Sequence, residues 1–248
     1  MHTTKRPTFF ELLKQSLQNV EGGYDLLAEK FDASDYITPE AILKPFFERI
    51  RQERNDFAQG LDLCCGTGAA TKHLAGLCSD SITAVDLSQG MLDKCKERLS
   101  VSHPQLKSHF IKANALDLPF DQEFDLVVSF GAFGHILTAE EEQFIRQIHR
   151  SLRPGGQFYF ITTEALPMTS LSYWRQKSFN AILRIRNFLI KPEFIMYYLT
   201  FRLPEVQIKL EKAGFDVSVL EDVTFDQSFN YLIPLKYFKM VKAEKKYH

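Results

Sequence analysis

Two carboxylates and two glycines carry the clearest chemistry in this 248-residue chain. In Leu61-Asp-Leu-Cys-Cys-Gly-Thr-Gly-Ala-Ala-Thr71, an acid stands four residues before the first glycine of a Gly-x-Gly turn. Eighteen residues after Gly68, the apolar run Ile82-Thr-Ala-Val-Asp86 ends in a second acid. The first acid repels a pyrophosphate and attracts a cation, whereas an acid at the place of the second can take both hydroxyls of a ribose. Thr71 occupies the position of the third glycine in a dinucleotide fingerprint. The ligand these residues describe has a ribose and a positive end but no pyrophosphate.

The elements that position them can be read from apolar spacing. Leu61–Cys64 reads as a short buried strand, Gly66–Gly68 as a tight turn that lets a ligand approach the main chain, and Ala69–Leu77 as a helix presenting its free N–H groups to that ligand. Ile82–Asp86 is a second strand, after which Ser88 caps a helix of about Gln89–Ser100. Further strands fall near Ser108–Lys112, Phe124–Phe130 and Gln157–Thr163, with an amphipathic helix over Ala139–Leu152. Upstream, Thr38 and Pro39 open a helix running to about Phe57, as N-cap and first helical residue. Downstream come a helix over Glu205–Ala213 closed by Gly214, and two strands near Phe215–Leu220 and Tyr237–Lys242. Alternation of this kind predicts an α/β fold with a doubly wound, mostly parallel sheet and its ligand beyond the carboxyl ends of the strands.

S-adenosylmethionine has a ribose, a sulfonium and an ammonium, and meets the requirement. At Leu61–Gly68, Ala84–Met91, Ala113–Phe120, Phe124–Phe130 and Leu152–Gly156 the sequence resembles the class I S-adenosylmethionine-dependent methyltransferases, especially the small-molecule group similar to ubiquinone/menaquinone-biosynthesis enzymes. The likeness covers roughly Pro39 to Phe160. It implies a Rossmann-like sheet of seven strands with an antiparallel C-terminal edge pair, and in-line transfer of a methyl group to a small-molecule acceptor. Carried over residue by residue, it implies that Asp62 and the turn Cys64, Cys65, Gly66, Thr67 and Gly68 hold the methionine part. Asp86 holds the ribose, Leu87 and Met91 border the adenine, Asn114 and Ala115 read its edge, and Ser129 and Phe130 line the floor near the reacting methyl. Asn114 departs from the aspartate more usual in the family, although an amide can serve the same edge.

On the acceptor side the pattern is less specific. His135, just after the fourth strand, is the best-placed candidate for a general base if the acceptor is a hydroxyl; a structural histidine at the rim is the competing reading. Residues 1–37 form a helical appendage to a methyltransferase domain of 38–248. Helices are expected over Phe9–Val20 and, after a break at Gly22-Gly23, over Tyr24–Phe31. The resemblance makes Tyr24 and Tyr36 candidates for the pocket. Within 164–203 there is no glycine, eight aromatics fall between Tyr173 and Phe201, and between Ala165 and Leu203 six basic residues stand against the single acid Glu193. Trp174, Ala181, Ile182, Ile185, Phe188 and Leu189 recur at helical spacing, and Pro192 is expected to start a second helix with Phe194, Ile195, Tyr198 and Phe201. This reads as an inserted helical lid selecting an apolar or aromatic acceptor, preferred over contact with a membrane surface, which the same composition allows.

Composition narrows the classes. A net charge of −1 gives no global attraction to nucleic acid, and the Asn/Asp-Pro-Pro-aromatic and Pro-Cys motifs of nucleic-acid methylation are absent. Cys64, Cys65, Cys78 and Cys95 show no metal-ligand spacing and read as free thiols of a reducing cytoplasm; no metal is expected. Met1–Phe10 shows no leader, and no stretch is apolar for long enough to span a bilayer. Two rivals remain: a cofactor-binding accessory protein acting through the 164–203 surface without turnover, and a nicotinamide-dependent oxidoreductase, which Thr71 and Asp62 disfavour.

Overall fold

Val127 sits in a run, Leu126-Val-Val128, in which every residue is buried, so that strand must be covered on both faces. The computed structural model, which describes residues 6–247 except 35, 198–199, 224 and 226–234, provides those two covers. Its seven-stranded sheet consists of β1 (Phe57–Leu63), β2 (Cys78–Asp86), β3 (Lys107–Lys112), β4 (Phe124–Ser129), β5 (Leu152–Thr163), β6 (Phe215–Leu220) and β7 (Phe238–Lys245). The spatial order is β3-β2-β1-β4-β5-β7-β6; β1 to β5 run parallel, and β7 is antiparallel to both β5 and β6. The expected sheet, with its antiparallel C-terminal edge, is the one observed.

Side chains alternate across the sheet and divide the core in two. Leu61, Leu63, Val127, Phe158 and Phe160 meet Phe144, Ile145 and Ile148 of α6 (Glu141–Ser151) and Leu210 of α8 (Glu205–Lys212) on one face. On the other face Leu126, Val128 and Tyr159 meet Leu43, Phe46, Phe47 and Ile50 of α3 (Glu40–Glu53) and Leu74 of α4 (Thr71–Ala75). Burying each large side chain contributes about 1.5–3 kcal/mol. The covered sheet is therefore a stiff platform, and the ends of β1, β2 and β4 are fixed points on it.

Several boundaries differ from expectation. Helix α3 takes Pro39 as its N-cap, without a side-chain bond, and starts at Glu40 instead of Pro39. Helix α4 begins at Thr71, because Gly68–Ala70 continue the turn. At the N-terminus, α1 (Phe9–Ser16) and α2 (Val20–Leu27) separate at Leu17–Asn19, and Gly22-Gly23 lies inside α2. The reason is local: the Asn19 side chain accepts from the Gly22 N–H and caps α2, so the chain restarts before the glycines. Gly23 also has Phe194 packed against it, where an added Cβ would come within 3.0 Å of the ring.

Among its described residues the insertion contains one helix of the two expected. Helix α7 (Leu171–Leu189) is capped by Ser170, but the segment from Lys191 to Tyr197 is irregular. Tyr198, assigned to the second helix, lies outside the described residues. The segment is held by long-range bonds instead of a helical ladder. Asn187 donates to the Phe194 carbonyl and accepts from its N–H, both at 3.0 Å, and the Phe201 N–H donates to the buried Glu141 at 2.9 Å. Among the described residues no helix is long and apolar enough to cross a membrane, and no cluster of His, Cys, Asp or Glu could hold a metal.

Candidate active site

A cavity of about 310 Å³ opens beyond the carboxyl ends of β1, β2 and β4, within the range of small-molecule sites. One wall comes from the ends of β1 and β2. Asp62, wholly buried, uses Oδ2 to accept from the Thr71 hydroxyl at 2.6 Å, while its Oδ1 has no partner among the described residues. Burial, with the Asp86 charge adding to it, pushes the Asp62 carboxyl up to about 7, against the pull of the Thr71 bond. Asp86 accepts from the Gly66 N–H through Oδ2 and from the Ser88 N–H through Oδ1, each at 2.9 Å. Burial raises this acid as well, opposed by those backbone bonds. Cys64, Cys65, Gly66, Leu87, Met91, Ala115 and Asn114 continue the wall.

The turn explains itself residue by residue. Cys64, just after β1, has φ +61 and Gly66 has φ +53, so the chain bends through left-handed conformations that favour glycine at the second position. A Cβ on Gly66 would meet nothing nearer than Phe31 at 4.0 Å, which leaves the main chain open to the cavity. Burial pushes the Cys64 and Cys65 thiols well up, so neither is a thiolate nucleophile.

Three expected residues do not line the cavity. Gly68 lies against α5 (Gln89–Ser102), where a Cβ would come within 2.6 Å of Cys95 Sγ, so its missing side chain serves close packing of the helix. Thr67 is buried and donates to Asp32 at 2.6 Å. Ser129 is turned into the sheet, its hydroxyl donating to the Leu63 carbonyl at 2.8 Å, while Phe130, the next residue, reaches the cavity. Asn114 reaches it too, but its Oδ1 accepts from the Leu116 N–H at 2.9 Å, so the amide that faces a ligand is partly committed to its own turn.

The opposite wall is assembled from distant segments: Val20, Tyr24, Phe31 and Tyr36 from the N-terminus, Gly131–Ala132 and His135–Ile136 after β4, and Ile195 from the insertion. His135 carries two contacts. Its Nδ1 bonds the Ile195 carbonyl, which can only accept, so Nδ1 bears the hydrogen. Burial holds the ring's pKa below its ordinary value despite that bond. The neutral ring therefore offers its Nε2 lone pair to the cavity side, where the Tyr24 hydroxyl donates to it at 2.8 Å. A histidine so fixed in tautomer and charge can accept a proton from a hydroxyl.

The N-terminal segment is tied over the site by its acids. Glu21 pairs with Lys112 at 2.6 Å, Glu29 with Lys94 at 2.9 Å, and Asp32 with Arg98 and Thr67. Asp25 accepts from the Ser88 hydroxyl at 2.5 Å and the Gly90 N–H at 3.0 Å. Sequence reasoning missed these acids, although Glu21, Asp25 and Glu29 recur every four residues, the signature of one charged helical face. Ile195 had no such signal.

S-adenosylmethionine passes the test these residues set. A buried carboxylate, Asp62, and a half-buried one, Asp86, face one cavity, one oxygen of Asp62 still lacks a partner among the described residues, and the turn leaves its backbone accessible beside them.

Comparison with known proteins agrees. Residues 61–156 match a family described as a methyltransferase domain. A demethylmenaquinone methyltransferase of Lactobacillus johnsonii is 33% identical over 123 residues, 48% of this chain and 49% of that protein. The chain thus spans about half the length of the first curated relatives it matches. A demethylmenaquinone methyltransferase of Symbiobacterium thermophilum is 29% identical over 88% of this chain and 80% of its own length. Among solved structures, the DhpI–SAH complex superposes with a TM-score of 0.64 at 20% identity, covering 97% of this chain and all of that one (100%), a likeness of fold.

Proposed function

From a chain that carries a class I S-adenosylmethionine-dependent methyltransferase domain, we propose an enzyme that methylates an apolar, aromatic small molecule of the quinone or hydroquinone kind. The observation that carries the reading is one cavity with two unlike walls. The acids Asp62 and Asp86 and an open glycine turn lie on one side, and aromatic and aliphatic side chains around a neutral histidine on the other. Relatives whose names specify menaquinone or phytyl-naphthoquinone substrates support the acceptor class.

When bound, S-adenosylmethionine supplies an electrophilic methyl group on a sulfonium. In our reading Asp62 holds the cationic methionine end, its charged form favoured by that neighbour, and Cys64–Gly66 shape the space beside it. Asp86 takes the ribose hydroxyls with the lone pairs its backbone bonds leave free. Leu87, Met91, Asn114 and Ala115 border the adenine. Phe130, Tyr24, Phe31 and Ile195 exclude water and orient the acceptor ring, which for an in-line displacement is most of what a protein must supply. His135 acts as the base through Tyr24, whose hydroxyl passes its proton to Nε2 as it takes the proton of the acceptor hydroxyl. The N-terminal segment caps the site through Val20, Tyr24, Phe31 and Tyr36, and Ile195 of the insertion completes the acceptor wall.

Titration calorimetry of the full chain with S-adenosylmethionine and its demethylated product, with NAD as control, tests the cofactor. Transfer of labelled methyl groups to a panel of hydroquinones, with amines and thiols as controls, tests the acceptor. Micromolar binding without NAD binding, together with label in the hydroquinones, is the expected result. Binding without transfer to any acceptor would favour the accessory-protein reading.

A further inference from the structure

Helix α7 is inside out. Its buried residues include Gln176 and Asn187, with Leu183, while Trp174 is 58% exposed, Ile182 67%, Ile185 60% and Phe188 86%. At about 100° per residue, Leu171, Trp174, Ile182, Ile185 and Leu189 fall in one outward stripe. The same spacing puts Arg175 along one edge of that stripe and Lys177 and Arg184 along the other, all three exposed, whereas Arg186 turns inward and donates to the Ile190 and Pro192 carbonyls. No acid occurs between Glu164 and Glu193. A stripe of this size left in water is costly, at roughly 25 cal/mol per Å² of apolar surface.

We propose that α7 docks this face on the surface of an anionic lipid bilayer. The occupant must be apolar at its centre and negative at its rim. A second copy of the chain fails the second condition, because each α7 brings only cations and pairing would bring like charges together. A bilayer rich in anionic headgroups meets both: the stripe enters the boundary between headgroups and acyl chains, and the basic edges lie among the phosphates. The helix lies in the plane of the membrane and does not cross it, consistent with its exposed arginines and lysine.

The placement also connects surface and cavity. On its inner side α7 holds, through Asn187, both Phe194 and the Tyr197 hydroxyl, and Ile195 between them lines the cavity and bonds His135. A docked α7 therefore sets the acceptor wall directly above the membrane. Docking itself does not depend on methyl transfer, and its test does not read activity.

The chain has a single tryptophan, Trp174, on the docking face. Full-length protein is mixed with vesicles of phosphatidylcholine alone or with added phosphatidylglycerol; sedimentation and Trp174 emission are followed. The expected result is a blue shift and co-sedimentation with the anionic vesicles, at least about ten-fold weaker on neutral ones and weakened by salt. Ile182→Asp with Ile185→Asp, both exposed, should abolish it with the melting temperature unchanged. Arg175→Gln with Lys177→Gln should weaken it about 30-fold, at about 1 kcal/mol per charge. Absence of binding to anionic vesicles, or equal binding by the aspartate variant, would overturn the proposal. So would a dimer in sedimentation velocity that Ile185→Asp dissociates, which would give the face to a second copy.

Discussion

The two walls of the cavity are built on different principles. The wall at the ends of β1 and β2 is local: Asp62 bonds Thr71, Asp86 bonds Gly66 and Ser88, and all of these lie within a single β-turn-helix-β unit. The opposite wall is joined only in three dimensions. His135 touches Tyr24, 111 residues earlier, and Ile195, 60 residues later. Local walls can be recognised from spacing, because glycine, acid and strand must follow one another in order. Walls made by tertiary contact leave no such order in the chain.

The largest expected effect tests the assembled wall. His135→Gln should lower kcat for a hydroxyl acceptor by about 10²–10⁴-fold and leave cofactor affinity unchanged; wild-type turnover in that variant would remove His135 from the chemistry. Next is the packing half of the local wall. Gly68→Ala combines φ +81 with a Cβ at 2.6 Å from Cys95 Sγ, and should cost about 2–4 kcal/mol in denaturant unfolding. Gly131→Ala, at φ +71 but with nothing within 4 Å, should cost only about 1 kcal/mol. Equal losses would show that conformation, not the approach of Cys95, governs position 68.

Asp86→Ala should weaken binding of S-adenosylmethionine by about 1–3 kcal/mol, read by calorimetry, because the ribose hydroxyls would lose their acceptor. The smallest effect is a pH dependence. In the fold Asp62 keeps its proton up to about 7, whereas the unfolded chain loses it near 4. The folded state thus binds the extra proton between those values, and ligand-free stability falls as pH climbs from about 4 to about 7, then levels. Affinity for a cationic ligand runs the other way and rises as Asp62 ionises. Asp62→Asn should flatten both trends, seen by thermal melts and titrations from pH 5 to about pH 8.

The same contrast explains what could be read from the chain. The strands and the acids Asp62 and Asp86 follow from apolar runs and the glycine turn, whereas the antiparallel edge and the adenine-side residues rest on the resemblance to a family. Thr67, Gly68 and Ser129 were misplaced because proximity in sequence does not say which way a side chain faces: in a strand, successive residues point to opposite sides, so Phe130 reaches the cavity and Ser129 the Leu63 carbonyl. The second insertion helix was misread because Phe194, Ile195 and Phe201 mimic a helical period while Asn187, His135 and Glu141 supply their backbone partners from elsewhere and the Gly134 carbonyl takes the Tyr197 N–H. Gly134 shows how close this is: an added Cβ would lie 3.1 Å from the Tyr197 carbonyl.

The acids of the N-terminal cap have a kinetic consequence. Glu21 is tied to Lys112, Asp25 to Ser88 and Gly90, Glu29 to Lys94 and Asp32 to Arg98, while Ser88, Tyr24 and Phe31 line the cavity. If the cofactor binds as proposed, with its nucleoside beneath this cap, its release requires these ties to part, and its residence time would follow the lifetime of partly exposed ion pairs and hydrogen bonds. Such pairs are individually weak and screened by salt. Steady-state turnover should then be paced by departure of the spent cofactor and quicken with ionic strength, while a single turnover in the closed site stays insensitive to it.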